Sequence, residues 1–405
     1  MRMSTLMMFP IIFFACDGAN TPATDAELHA KAEQLVKSSI LLDGHIDVPY
    51  RLIEKMEDVS KATEDGNFDY PRAIKGGLNV PFMSIYIPAE NQKTPGASKK
   101  VAEELIAMVD SIIAANPDKF ASAGTPEQVR RNFQQHLISL PYGMENGAPI
   151  EDDLANVAYF HDKGVRYITL THSKMNQICD SSYDPHKGWN GLSPFGRKVV
   201  AEMNRTGIMV DISHVSDSTF YQVLRLSKVP VICSHSSLRH FTPGWERNVN
   251  DDMLQHLAKN GGVIQINFGS AFLSKEANEY DLARRDYRTK FMKENNISDS
   301  DDPRVEKEME KFRDGAPYPY ATSDDVADHI DRVVQLVGID HVGIGSDFDG
   351  VGDSLPTDLK SVADYPTLVF KLLKRGYSDD DIKKVLGENV LAVWQKVTDY
   401  ANAQQ

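Results

Sequence analysis

Six apolar runs in this sequence stop on residues that bind metals or move protons. LLDGHIDVPY (41–50) ends on His45, one spacer, and Asp47. YGMENG carries Glu145, LTHS carries His172, DISH carries His214, CSHSS carries His235, and GSDFDG carries Asp347 and Asp349. Residues i and i+2 of a strand point the same way, so His45 and Asp47 can reach one site together. A lone histidine at a strand end more often packs or hydrogen-bonds than binds an ion. Several of them together with carboxylates change that reading. Imidazole and carboxylate donors suit Zn²⁺, and also Mn²⁺ or Fe²⁺. Two ions can sit ~3.5–4 Å apart when one carboxylate bridges them. Such a pair lowers the pKa of water and polarises a carbonyl, which is the chemistry of a metal hydrolase. Spacing does not choose the bond, which could be an amide, ester, lactone or phosphoester.

These residues converge only if the runs are neighbouring strands. Eight candidates occur, at 38–45, 78–87, 136–143, 165–172, 207–214, 229–235, 262–268 and 341–348. Each is short and continuously apolar, as parallel strands buried on both faces are. Helical patterns join most of them. KKVAEELIAMVDSIIAAN (99–116) and SDDVADHIDRVVQLVG (323–338) repeat apolar residues at three- and four-residue intervals, and Asp, Ser and Gly punctuate the ends of several such stretches. This alternation predicts an α/β fold, a (β/α)₈ TIM barrel, whose strand ends meet at one mouth. An open doubly wound sheet is the alternative. Neither G-x-G-x-x-G after the first strand nor a phosphate-binding loop is present to support it. Residues 270–322 are highly charged and predict helices inserted after strand seven, either a solvated decoration or a partial lid. Residues 364–398 predict terminal helices that close one end or support an interface.

Of the 405 residues, 41% are hydrophobic and 25% charged, with a net charge of -14, which argues against a nucleic-acid partner. Three cysteines, Cys16, Cys179 and Cys233, form no disulfide framework and no metal spacing. The first stretch reads as an export signal, with Arg2, an apolar run from Leu6 to Phe14 that is too short to span a bilayer, and small residues after it. Ala15–Cys16 resembles a bacterial lipoprotein cleavage box, although Phe13 stands where Leu is usual; an ordinary secretory signal is the alternative. The expected organisation is a signal over 1–16, a polar tether over 17–32 and one metallohydrolase domain over 33–405. The expected location is the periplasm or another outward-facing space, with membrane contact through a lipid on Cys16.

GHIDVP, the GG…F-x-S-x-Y stretch at Gly76–Tyr86, LTHS, GLSPFG, DISHVS, P-V-I-x-SHSS, RNVNDD and GIGSDFDGV together resemble the membrane (renal-type) dipeptidases, over residues 38–395. The resemblance implies an amidohydrolase-like barrel with two Zn²⁺ per chain. It assigns His45 and Asp47 to one zinc, His214 and His235 to the other, and Glu145 to both. Asp347 becomes the catalytic aspartate, taking a proton from the bridging water and passing it to the leaving amine. His172 stabilises the oxyanion, and Arg247 holds the substrate through its C-terminal carboxylate. The implied activity is cleavage of dipeptides with a free C-terminus in a short, closed pocket, with C-terminal D-residues and β-lactams as open questions. The implied assembly is a homodimer. Another binuclear hydrolase of this barrel type, acting on an N-acyl amino acid, lactone or phosphoester, is the alternative. The chain departs from the family's RNVPDD at Asn250, before a helix. Asp349, His329 and His341 are expected in supporting roles, and Cys233 as a buried apolar residue.

Overall fold

The computed structural model describes residues 23–299 and 302–404. All eight apolar runs become strands of one closed parallel barrel: β1 (Leu42–Ile46), β2 (Val80–Tyr86), β3 (Tyr142–Glu145), β4 (Val165–Thr169), β5 (Met209–Asp211), β6 (Ile232–Ser236), β7 (Val263–Ile266) and β8 (Val342–Ile344). Each strand pairs with its neighbours in sequence, and β1 closes the ring against β8 with Asp43 opposite Ile344. The open doubly wound sheet is therefore excluded. The strands are shorter than their apolar runs, and in β2, β4, β5, β7 and β8 the last residues of the run lie beyond the ladder, at the mouth.

The final helix, Asn389–Asn402, closes the other end of the barrel. Its Val390 and Trp394 pack with Leu42, Val80, Met209, Ile232 and Val263 from strand starts. Burying these side chains removes them from water at roughly 1.5–3 kcal/mol each. The floor is thus apolar, and the polar residues gather at the opposite end.

After β7 the chain runs through three helices, Ser270–Leu273, Lys275–Glu294 and Pro303–Gly315. The longer two share a small core of their own, Ile297, Val305 and Met309 with Phe291, Met292 and Phe312 beside them. Asn250, where the family pattern has proline, caps the helix Asp251–Asn260 by accepting a hydrogen bond from Met253 N at 2.8 Å. The change supplies a cap and disturbs nothing.

One boundary differs from expectation. The tether expected over 17–32 is helical from Asp25, in a helix reaching Ser38 whose start is closed by a Thr24–Glu27 capping box. Ala32, Leu35 and Val36 of that helix are buried. Residues 17–22, the signal and Cys16 lie outside the described residues. Among the described residues no helix is long and apolar enough to cross a membrane. Cys179 and Cys233 are both buried and unbonded to each other.

Candidate active site

The strand ends bring His45, Asp47, Glu145, His172, His214, His235 and Asp347 into one cluster at the mouth of the barrel. Glu145, at the end of β3, is its hub. Its Oε2 lies 3.4 Å from His45 Nε2, and the same nitrogen lies 3.4 Å from Asp47 Oδ2. Its Oε1 faces the other way, 3.0 Å from His214 Nε2, 3.3 Å from His235 Nε2 and 3.8 Å from His172 Nε2. One carboxylate thus offers an oxygen to each of two groups of imidazoles.

Two of the histidines, His45 and His235, are set for ligation by what holds their other nitrogen. His45 Nδ1 lies 2.8 Å from Tyr167 Oη, which itself donates to Gly44 O at 2.9 Å. The phenol's hydrogen is spent on the carbonyl, so its oxygen accepts from Nδ1–H and the Nε2 lone pair faces the site. Tyr167 reaches His45 across β3 because residue 143 is glycine; a Cβ there would lie 1.9 Å from the Tyr167 ring. His235 is held alike. Ser234 Oγ donates to Asp211 Oδ2 at 2.6 Å and so accepts from His235 Nδ1–H at 2.8 Å. Asp211 in turn takes backbone hydrogens from Ser213 and Ser234 and the Thr169 hydroxyl.

These donors lack what they need. His45 Nε2 is buried without a hydrogen-bond partner, and the Nε2 atoms of His214 and His235 face each other at 2.7 Å beside a carboxylate oxygen. Burial disfavours a charged His45, yet Tyr167, Asp47 and Glu145 hold its pKa well above the ordinary histidine value. Burial also works against an ionised Glu145, but the surrounding imidazoles pull it well below the usual carboxylate range. A positive charge is wanted between these groups, and imidazoles with carboxylates are the donor set of Zn²⁺ and similar ions. The residues fit two divalent ions. His235 lies between the two groups, since its ring is also 3.9 Å from that of His45. Its Nε2 lies 2.7 Å from His214 Nε2 and 3.3 Å from Glu145 Oε1, so it borders both groups.

Asp347 follows β8 and joins the cluster on the side of His45 and Asp47. Its Oδ2 accepts from Asn267 Nδ2 at 2.6 Å, which leaves Oδ1 for chemistry. Burial and the charges of Asp47 and Glu145 push its pKa up to about 7, against the opposing charge of His45. Residue 350 must be glycine here, because a Cβ would lie 2.2 Å from Asp47 Oδ2 and 2.5 Å from Asp347 Oδ1. Asp347 and His214 both adopt left-handed backbone, at φ 62° and 66°. Non-glycine residues rarely hold that conformation, and it clusters at functional sites. Asp349 turns away, accepting from Asn67 N at 2.5 Å and pairing with Arg51 at 3.3 Å.

Arg247 is buried just behind His214. It donates to His235 O at 2.7 Å and Ser236 Oγ at 2.8 Å, and its Nη2 lies 3.1 Å from His214 Nε2. It does not line the cavity. His329 and His341 are structural. The first accepts from Leu238 N, and the second is tied to Gly262 O.

The cavity over the cluster has a volume of about 1170 Å³, above the usual ~300–1,000 Å³ of small-molecule pockets. It is wider than the closed two-residue pocket expected from the sequence. The upper wall comes from the insertion, through Tyr280, Arg284, Arg285, Arg313 and Tyr318. The insertion is therefore part of the site and not a decoration. Sequence reasoning missed Tyr167, Asp211, Asn267 and Tyr183. The available signal was a polar residue inside an apolar run, as in MVDIS and IQINF.

A family model described as membrane dipeptidase (peptidase family M19) matches residues 29–405. The probable dipeptidase PvdM from Pseudomonas aeruginosa shares 26% identity at a TM-score of 0.78, covering 93% of this chain and 100% of that chain. An amidohydrolase from Pseudomonas aeruginosa shares 26% identity at a TM-score of 0.68, covering 93% and 99%. A metallo peptidase from Rhodobacter sphaeroides, solved with a phosphinate mimic of the dipeptide L-Ala-D-Ala, shares 25% identity at a TM-score of 0.72, covering 89% and 100%.

Proposed function

Because this chain belongs to the membrane dipeptidase family, we propose that it cleaves dipeptides carrying a free C-terminus, C-terminal D-residues among them. It is a metal-dependent hydrolase of the dipeptidase type. The observation that carries the finer reading is the split of Glu145, one oxygen toward His45 and the other toward His214 and His235. In this reading His45 and Asp47 hold one Zn²⁺, His214 and His235 hold the second, and Glu145 is shared. Bound there, the two ions would lower the pKa of water and polarise the scissile carbonyl.

The protein's own groups do the rest. Asp347 Oδ1 would accept a proton from the attacking water and return it to the leaving amine, with Oδ2 fixed by Asn267. His172, 21% exposed at the side chain and next to Glu145, would face the developing negative charge of the carbonyl oxygen. Arg247 now points Nη2 at His214 Nε2. Once that lone pair belongs to an ion, the guanidinium edge is left for a substrate carboxylate. The relative solved with an L-Ala-D-Ala mimic supports a C-terminal D-residue as substrate. A lipid on Cys16, an outward-facing location and a homodimer complete the proposal.

A panel of free dipeptides of both C-terminal configurations, with tripeptides and N-acyl amino acids, tests it on metal-quantified protein. Hydrolysis of dipeptides with two Zn²⁺ per chain is expected. Inactivity on every dipeptide, or preference for N-acyl amino acids, would overturn it.

A further inference from the structure

The cavity wall carries five cationic side chains, Arg51, Lys174, Arg284, Arg285 and Arg313. Four of them have a carboxylate close by. Arg51 meets Glu57 at 2.7 Å, Lys174 meets Asp184 at 3.7 Å, Arg284 meets Asp281 at 3.2 Å and Arg313 meets Glu306 at 2.6 Å. Arg285 has no carboxylate within 4.0 Å among the described residues. It is exposed on the inserted helix Lys275–Glu294, in a chain whose net charge is -14. An acidic protein that leaves one guanidinium without a counter-ion in its substrate cavity has room there for an anionic ligand group.

The position of Arg285 says which part of a substrate it meets. Its guanidinium carbon lies 5.9 Å from the centre of the Tyr183 ring, and that ring lies 5.7 Å from the ring of His214. Arg247 lies against that same His214, its Nη2 3.1 Å from Nε2. Arg285 therefore stands on the Arg247 side of the site, one aromatic ring further out. The Tyr280 and Tyr318 hydroxyls, from the same insertion and on the same cavity wall, are buried without partners.

We propose that Arg285 is a specificity-determining residue that selects dipeptides whose C-terminal residue has a long side chain ending in a carboxylate. The proposal rests on the reading that the substrate's own C-terminal carboxylate lies beside Arg247. A glutamate side chain then extends outward past Tyr183 toward the unpaired guanidinium. The paired Arg284 and Arg313 offer no comparable vacancy.

The test compares Ala-Glu with its neutral isostere Ala-Gln, in whichever C-terminal configuration is turned over, for the wild type and Arg285→Met. The wild type should favour Ala-Glu in kcat/KM by about tenfold, the scale of a charge-assisted hydrogen bond in a partly screened mouth. The preference should sit mainly in KM, shrink in added salt and fall to about one in Arg285→Met, with Arg285→Lys between. Equal turnover of the two dipeptides by the wild type overturns the role of Arg285 and leaves the dipeptidase reading standing. So does a preference that survives in Arg285→Met, or an equal loss on both substrates. Inactivity of the wild type on both dipeptides overturns the two readings together. Arg285 is exposed, so matching thermal unfolding of variant and wild type checks that the fold is kept.

Discussion

Replacing Tyr167 with phenylalanine removes one oxygen atom and leaves the ring in place. That oxygen accepts from His45 Nδ1 at 2.8 Å and donates to Gly44 O at 2.9 Å. Both partners are buried. Each orphaned group costs about 1–3 kcal/mol, offset in part by relief of the phenol's own burial, so a net loss of about 1–3 kcal/mol in fold stability is expected. The effect on the metals is separate. Without an acceptor at Nδ1, the imidazole can move its proton to Nε2 and its ring can turn. Losing an outer partner of this kind lowers metal affinity about 10–100-fold, or about 1.4–2.7 kcal/mol. The assay is competition with a chelator, resolving the two ions, alongside thermal unfolding of metal-free protein. Glu145 gives Oε2 to His45 and Oε1 to His214 and His235, so only the ion on the His45 side should weaken. Ser234→Ala should show the mirror image through His235. Equal weakening of both ions in Tyr167→Phe, or none, would refute the division of the site.

Asp347→Asn should keep both ions and lose about 10²–10⁴-fold in kcat, since it removes a proton carrier; metal content measured beside the rate separates this from loss of ligation. Gly350→Ala should reduce activity and metal retention together, because the added carbon meets Asp47 and Asp347 at 2.2 and 2.5 Å; an unaltered variant would show the turn to be looser than described. His329 should make stability depend on pH. Burial lowers its pKa from 6.5 to about 4, so the folded protein holds it neutral while the unfolded chain binds a proton below 6.5. Its contribution is complete above pH 6.5 and declines toward pH 4, by up to about 3 kcal/mol. Unfolding followed across that window should fall less steeply in His329→Gln, and parallel curves would contradict the assignment.

The barrel was legible because parallel strands covered on both faces read as continuous apolar runs, and six of the eight runs led to a candidate functional residue. Glu145, His214 and Asp347 could be placed from that alone, and the family pattern supplied proposed roles. Less legible were the groups behind them. Asp43 lies two residues before His45, accepts from His45 N and Ser346 N, and takes the Tyr365 hydroxyl. Nothing local in LLDGH announces partners about 300 residues away. The helix from Asp25 was hidden because the small polar residues before it dominate the composition, although Thr24 and Glu27 form its cap. The insertion was ambiguous for a different reason. Its charge pattern fits a solvated surface, and only tertiary placement brings Arg284, Arg285 and Arg313 to the cavity.

The β1–β8 closure has a consequence for the order in which the molecule is made. Asp47 N donates to Phe348 O, Asp347 N donates to His45 O, and Asp43 ties the two strands from below. His45 leaves the ribosome about three hundred residues before the segment that fixes it. Contacts so distant in sequence form late, after the entropy of closing the intervening chain has been overcome. A chain synthesised past His235 carries all five proposed ligands, but not the segment whose backbone holds His45 and Asp47 in place. Ions should therefore load in a step that follows ring closure. In refolding from denaturant, a tight ion should appear only with the last kinetic phase, and adding it earlier should not hasten that phase.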